Sequence, residues 1–295
     1  MPVKHYENFP VASFALPAHL RRPVETIYAF ARSADDIADE GDANAQQRLA
    51  DLHRYQDALD VIENGKTPEP GLFVDVAQII HKHALPIQPF RDLISAFKQD
   101  VSQTRYASFG EVMDYCRRSA NPVGRLLMAL YQDTDPRHLA YADSLCSSLQ
   151  LINFLQDVQI DFQKDRIYLP LDELSQAGIG EAGIKALLAT PGKQAVAADA
   201  GFGGIAIGTP RSTLEARWQP FMLAQIERTR KMLQAAAPLG LVLQGRIGFE
   251  TRMIIVGGER ILRKLYLDPP ASLSRRVKLN AWDWAVMVTR ALLKK

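Results

Sequence analysis

At 295 residues the chain is about twice the usual single-domain length, so it is either one large domain or two modest ones. With 47% hydrophobic and 23% charged residues it is no disordered chain, and 35 Lys and Arg against 33 Asp and Glu leave a net charge of +2, too small a surplus to argue for a nucleic-acid partner. Two cysteines, Cys116 and Cys146, lie outside any Cys-x-x-Cys pair, which argues against a disulfide framework or a Cys-rich zinc site and fits a reducing, cytoplasmic compartment. Both read as small buried apolar residues.

The opening MPVKHYENFPVASFALP carries charge and proline where a secretory signal would need an apolar run, so no signal peptide is expected. No window is apolar for long enough to span a bilayer. Helical spacing of apolar residues predicts helices over about 20–40, 45–62, 72–83, 87–99, 109–116, 123–131, 137–162, 217–236, 237–263 and 280–293. Ser108-x-x-Glu111 reads as a capping box, Asn121-Pro122 as a cap followed by proline, and Asn64-Gly65 as a helix end. Pro170 stops whatever precedes it. The Gly- and Ala-rich stretch at about 190–211 predicts a surface loop. Within it Gly201-Phe202-Gly203-Gly204-Ile205-Ala206 has the letters of a dinucleotide fingerprint, but no strand precedes it. With no strand alternation and no polar linker, the expectation is an all-α, single domain over 1–295.

Two acidic segments carry the chemistry. In Tyr28-Ala-Phe-Ala-Arg32-Ser-Ala-Asp35-Asp36-Ile-Ala-Asp39, residues Tyr28, Arg32, Asp35 and Asp39 share one face of an otherwise apolar helix, with Asp36 beside them. Carboxylates four apart repel, so a cation should compensate them. In Gln150-Leu-Ile-Asn153-Phe-Leu-Gln156-Asp157-Val-Gln-Ile-Asp161, the polar face is Gln150, Asn153, Asp157 and Asp161. One aspartate pair at this spacing usually marks a solvated helix face; two pairs, each set in apolar helix, favour a site. Oxygen donors without His or thiolate suit Mg²⁺, which commonly shares its coordination with water and substrate phosphates, so a diphosphate ligand is implied. EF-hand spacing, His-Glu-x-x-His, Gly-x-Ser-x-Gly and a P-loop are all absent.

These segments, with YCRRSANPVG (115–124), RIYLP (166–170) and GGERILRKL (257–265), resemble the head-to-head trans-prenyltransferases, the squalene/phytoene synthase family, over nearly the whole chain. The resemblance implies an isoprenoid synthase fold, with helices around a central apolar cavity capped by a diphosphate–Mg²⁺ cluster. The stretches HYENFPVAS (5–13) and RRSANPVG (117–124) are similar to the hydroxysqualene synthase branch of bacterial hopanoid biosynthesis. That branch ionises presqualene diphosphate and captures water, with no NADPH expected, and would be coupled to the enzyme that supplies presqualene diphosphate.

On this resemblance Asp35, Asp36, Asp39, Asn153, Asp157 and Asp161 are the metal ligands, and Asp35, Asp39, Asp157, Asp161 and Tyr115 are catalytic. Arg32, Tyr28, Gln150, Arg117, Arg118 and Arg166 would bind substrate. Tyr168 and Pro170 are expected to shape a helix end. Gln156 stands where the family usually has Arg, and Asp165 where it usually has Gly, departures that bear on diphosphate contacts. A presqualene diphosphate or squalene/phytoene synthase that condenses two prenyl diphosphates is the alternative; a non-enzymatic assembly factor would be expected to lose the acidic ligands. The tail from Trp282 to Lys295 reads either as packed on the globule or as lying at a membrane interface on the inner face, aromatics below and Lys/Arg above.

Overall fold

The computed structural model describes residues 16–189 and 209–293. The stretch 5–13, the fingerprint letters at 201–206 and most of the expected loop at 190–211 lie outside these residues. Helices account for nearly all regular structure: α1 (Ala18–Asp39), α2 (Ala45–Glu63), α3 (Leu72–His83), α4 (Gln88–Asp100), α5 (Phe109–Ser119), α6 (Asn121–Leu130), α7 (Pro136–Gln156), α8 (Val158–Gln163), α9 (Leu171–Gln176), α10 (Gly180–Leu188), α11 (Arg211–Ala236), α12 (Leu239–Val242), α13 (Gly245–Leu267) and α14 (Ala281–Leu293). A 3₁₀ turn covers Pro269–Leu273. Among the described residues there is no strand, only an isolated bridge between Arg105 and Ile167.

Local chemistry explains many of the helix ends. Asn44 and Gln47 form a reciprocal capping box at the start of α2. Gly65, at φ +70°, ends that helix as expected, with Lys66 N–H donating to the Val61 carbonyl. Ser108 accepts from Glu111 N–H at 3.4 Å, whereas Glu111 Oε2 accepts from Ala107 N–H, so the expected box is only half formed. Asn121 does not cap α6. It lies inside the first turn, and its side chain accepts from Ser147 Oγ at 2.7 Å, tying α6 to α7. Gly124 lets these two helices approach closely, since a Cβ there would stand 2.7 Å from Cys146 Sγ.

Two expected helices are broken. The span 137–162 divides at Asp157 (φ −105°, ψ 15°) into α7 and α8. The buried Gln156 amide donates to the Val277 carbonyl at 2.5 Å, which anchors the chain at the break. The span 237–263 divides into α12 and α13, where Leu243 is extended and Gly245 takes φ +62°. The chain folds back so tightly there that a Cβ on Gly248 would meet the Leu243 carbonyl oxygen at 1.8 Å. The helix expected from 217 begins at Arg211, and α9 and α10 occupy a stretch where no helix was expected.

Two apolar cores meet along one seam. Phe30, Leu52, Phe90 and Ile94 centre the core of α1–α4, onto which α6 packs. Ile152, Trp218, Met222 and Ile261 centre the core of α7, α11 and α13. Because α1 belongs to the first core and α7 to the second, their polar faces are left to line the space between.

Candidate active site

That space has two adjoining compartments. One is an apolar cavity of about 460 Å³, walled by side chains such as Ile27, Phe97, Leu127, Leu145, Leu243 and Ile254. The other is a polar cleft of about 1000 Å³. Arg32, Asp35, Tyr115, Leu149 and Gln150 line both, so the compartments open into one another. Tyr28 lines the apolar side.

The polar cleft gathers both acidic stripes: Asp35, Asp36 and Asp39 from α1 face Gln150, Asn153, Asp157 and Asp161 from α7, the break and α8. The expected compensating cations are present. Arg32 bridges Asp35 at 2.9 Å and Asp36 at 2.6 Å. Arg166, just after α8, grips Asp39 with both terminal nitrogens, Nη1 donating to Oδ2 at 2.7 Å, and Lys164 adds a longer contact at 3.6 Å. The two carboxylate-bearing helices are thereby held together through Arg166.

An aromatic floor lies beneath. Phe154 stacks on Tyr168 with ring centroids 4.0 Å apart, and Tyr115 and Tyr106 complete the cluster. Tyr115 Oη donates to Asp100 Oδ2 at 2.7 Å, while Asp100 Oδ1 is buried with no hydrogen bond. Tyr115 is therefore at the cleft as expected, with its hydroxyl fixed by a carboxylate. Tyr168 lines the cleft instead of ending a helix, because α8 has already stopped at Gln163 and no helix resumes until Leu171.

Arg117 and Arg118 are not in the cleft. The helical period of α5 turns Val112, Tyr115 and Cys116 inward, so both arginines close on Asp114, at 2.8 Å each. Arg118 also donates to Ser95 Oγ at 3.1 Å and to Gln99. Gln156, buried and bonded to Val277, faces away from the cleft. Asp165 adopts φ +58°, a conformation that explains why glycine suits this turn, and its exposed carboxylate pairs with Arg105 at 2.7 Å. These two departures therefore bear on backbone anchoring and a turn. Cys116 is buried as expected, but Cys146 is only partly covered and lines the apolar cavity.

Sequence reading missed Asp100 and Arg276. Arg276 follows the 3₁₀ turn and brings Nε to 3.2 Å from Asp157 Oδ1. It carried no motif signal, lying in the basic run Arg275-Arg276-Val277-Lys278. Asp100, the last residue of α4, also carried no motif signal, and its burial comes from the approach of Tyr115 on α5.

Burial dominates the electrostatics. It pushes the Asp35 carboxyl up to about 6, with Asp39 adding repulsion. It pushes Asp161 up to about 8, with Asp157 adding repulsion, and Asp100 up to about 7 against the lowering effect of the Tyr115 hydrogen bond. Asp157 is also raised by burial, which Arg276 and Lys278 only partly offset. Acidic oxygens this short of counter-charge favour cation binding. Asp157 Oδ1 is itself buried without a hydrogen bond, since Arg276 stands at ion-pair distance but is misaligned to donate. The donors are all oxygens, as Mg²⁺ prefers. Among the described residues no three His, Cys, Asp or Glu side chains form a ready-made cage. The fit is to a cation that shares its coordination with water and phosphate.

Comparisons with known proteins agree with this architecture. A family model described as squalene/phytoene synthase matches residues 3–283. The hydroxysqualene synthase of Rhodopseudomonas palustris is 30% identical over 284 residues, covering 95% of this chain and 86% of that protein. The hydroxysqualene synthase of Zymomonas mobilis is 39% identical over 176 residues, 58% of this chain but only 57% of that protein's length. Among solved structures, a squalene synthase from Alicyclobacillus acidocaldarius superposes with a TM-score of 0.73 at 29% identity, covering 88% of each chain. A dehydrosqualene synthase superposes at 0.71 and 18% identity, a likeness of fold over 96% of this chain and 89% of the other.

Proposed function

This chain belongs to the squalene/phytoene synthase family, and from that premise we propose that it is a hydroxysqualene synthase, ionising presqualene diphosphate and capturing water. The observation that carries the reading is the continuity of an acid-rimmed, arginine-studded cleft with an apolar cavity, a head-and-tail shape suited to a prenyl diphosphate. The naming of two similar proteins as hydroxysqualene synthases supports this branch.

Asp35, Asp39, Asn153, Asp157 and Asp161, with Asp36 at the rim, would hold Mg²⁺, which when bound supplies Lewis-acid neutralisation of the leaving diphosphate. The chain's own cations act beside it. Arg32, Arg166 and Arg276 line the cleft where they can donate to phosphate oxygens, and Arg166 also fixes the orientation of Asp39. When the carbon–oxygen bond breaks, its electron pair leaves with the diphosphate and a carbocation remains among apolar walls that exclude bulk water. Tyr115 lines both compartments with its hydroxyl held by Asp100, and its ring would stabilise the developing positive charge. Rearrangement of the cyclopropylcarbinyl cation opens its three-membered ring by breaking a carbon–carbon bond, and attack by a water oxygen on the rearranged cation, with loss of one proton, completes hydroxysqualene. Gln150, lining both compartments, is the polar group suited to hold that water. The reaction needs no hydride donor, so NADPH is not part of the proposal. A cytoplasmic enzyme working at the inner membrane face, supplied by a presqualene diphosphate synthase, fits a substrate and product of this chemistry.

The test offers purified protein farnesyl diphosphate or presqualene diphosphate, with and without Mg²⁺ and NADPH, and identifies products by mass spectrometry. Hydroxysqualene from presqualene diphosphate with Mg²⁺ alone is expected. Squalene formed only with NADPH, or presqualene diphosphate formed from farnesyl diphosphate as the end product, would assign the chain to a sibling activity.

A further inference from the structure

Among the described residues all nine large apolar side chains that are exposed lie between 241 and 293, on or beside α12, α13 and α14. Helix α14 runs antiparallel to α13. Asp283 near its start is fully buried against Arg260 and Lys264, and the Ala291 carbonyl near its end accepts from Arg252 Nε at 2.7 Å. Asp283, Met287 and Ala291 form the packed stripe. The neighbouring stripe, Trp284, Val288 and Leu292, spaced four apart, is turned to solvent, and Leu292 is 66% exposed. The tail is therefore packed on the molecule and still presents an apolar face.

Two further observations make this face a surface with a direction. First, the Arg252 guanidinium donates both to the Ala291 carbonyl and to the Gly240 carbonyl, so the exposed pairs Leu292-Leu293 and Leu241-Val242 directly follow two residues tied to one side chain. Second, Leu239 and Leu243, which flank Leu241-Val242, line the apolar cavity. The short α12 is thus a thin wall, with the cavity on one side and the exposed patch on the other. The patch is also one-signed: segments 239–249 and 284–293 contain the exposed Arg246 and Arg290 and no acidic residue.

We propose that α12 and the outward face of α14 form a docking surface for an anionic lipid bilayer, set against the cavity wall made by Leu239 and Leu243 so that a long hydrocarbon passes between cavity and membrane with only α12 to displace. Exposed Trp and Leu side chains would enter the interface while the cations meet anionic headgroups, as in an interfacial amphipathic helix. A surface for a second copy of the chain would not require one-signed charge, since a two-fold contact brings identical charges together. The proposal deepens the functional reading in one respect, because it takes the cavity's content to be a prenyl chain. Binding itself is measured without substrate, so it can fail independently of that reading.

The test uses the full chain with vesicles of phosphatidylcholine, alone or with about 30 mol% phosphatidylglycerol, in a flotation assay. Retention on the anionic vesicles, weakened by salt and at least about tenfold stronger than on neutral ones, is expected. Of the three tryptophans, Trp218 is fully buried, so quenching of fluorescence by brominated lipid reports Trp282 and Trp284. The double variant Leu292→Glu/Leu293→Glu should abolish flotation and quenching, while its thermal melt and its turnover of detergent-dispersed substrate stay at the wild-type values. Should that variant fail to fold, Leu241→Ser gives the same reading from the other half of the patch. Equal absence of flotation on both vesicle types overturns the proposal. So does a dimer in light scattering that the double variant dissolves while the wild type ignores vesicles, which would assign the patch to a second copy.

Discussion

Substituting Asp161→Asn separates the electrostatic cost of the cleft from its packing. The Asp161 carboxyl is raised to about 8 by burial and by Asp157, against an ordinary value of 3.8. Its folded form therefore holds a proton more tightly than its unfolded form. Stability from this group is complete below about pH 4 and is lost as pH rises through about 8. Between pH 6 and 8 one such group contributes a slope of up to about 1.4 kcal/mol per pH unit, a ceiling of about 3 kcal/mol. Solvent in the open cleft screens the charge and reduces this to about 1–2 kcal/mol. For a chain of this size that is a fall of about 2–3 °C in melting temperature.

Thermal melts by circular dichroism in EDTA at pH 5, 6, 7 and 8 test it. The wild type should lose stability from pH 6 to 8, and the variant should lose less than half as much, the remainder belonging to Asp100 at about 7. Adding Mg²⁺ with pyrophosphate should raise the wild-type midpoint at pH 8, by about 2.7 kcal/mol at a hundredfold excess over the dissociation constant. The variant should respond far less. A wild-type midpoint that is flat from pH 6 to 8 in EDTA, or a variant that tracks it, would refute the idea that these carboxylates are short of counter-charge.

Asp157→Asn should lower turnover by at least about a hundredfold while the melting temperature is kept or raised, read by product formation alongside a melt. Tyr115→Phe removes the hydroxyl that Asp100 accepts from, so a stability loss of about 1–3 kcal/mol in urea melts is expected together with a changed rate or product ratio. Arg166→Lys keeps the charge but loses the two-pronged grip on Asp39; kcat/KM should fall by about tenfold or more, and unchanged kinetics would reduce Arg166 to a surface ion pair. Asp165→Gly trades relief of a positive-φ aspartate for loss of the Arg105 ion pair, and should leave stability within about 1 kcal/mol and turnover unchanged. Loss of turnover there would return Asp165 to the substrate contacts.

What the sequence by itself determined is what depends on neighbours a few residues apart. The helical period of α1 put Arg32, Asp35 and Asp39 on one face, and Arg32 answers the carboxylates from the same helix. The same local reasoning placed Gln150, Asn153, Asp157 and Asp161 together, and all four line the cleft even though the helix breaks between them. Tyr115 was legible only through the resemblance of YCRRSANPVG (115–124) to the family, and it lines both compartments. The tertiary structure decided what depends on partners distant in the chain. Gln156 fixes the break at Asp157 only because Val277 presents a carbonyl to it, and Arg276 becomes a cleft cation only because the segment after α13 passes beside α8. Arg117 and Arg118 look like phosphate binders as letters, but the rotation of α5 that buries Tyr115 leaves them facing Asp114. Asp100 is made a buried carboxylate by the approach of α5 and of the segment bearing Arg166, neither of which α4 specifies. Helix period is a property of the backbone and can be read from spacing, whereas the desolvation and charge partner of a side chain are set by which remote surface comes to cover it.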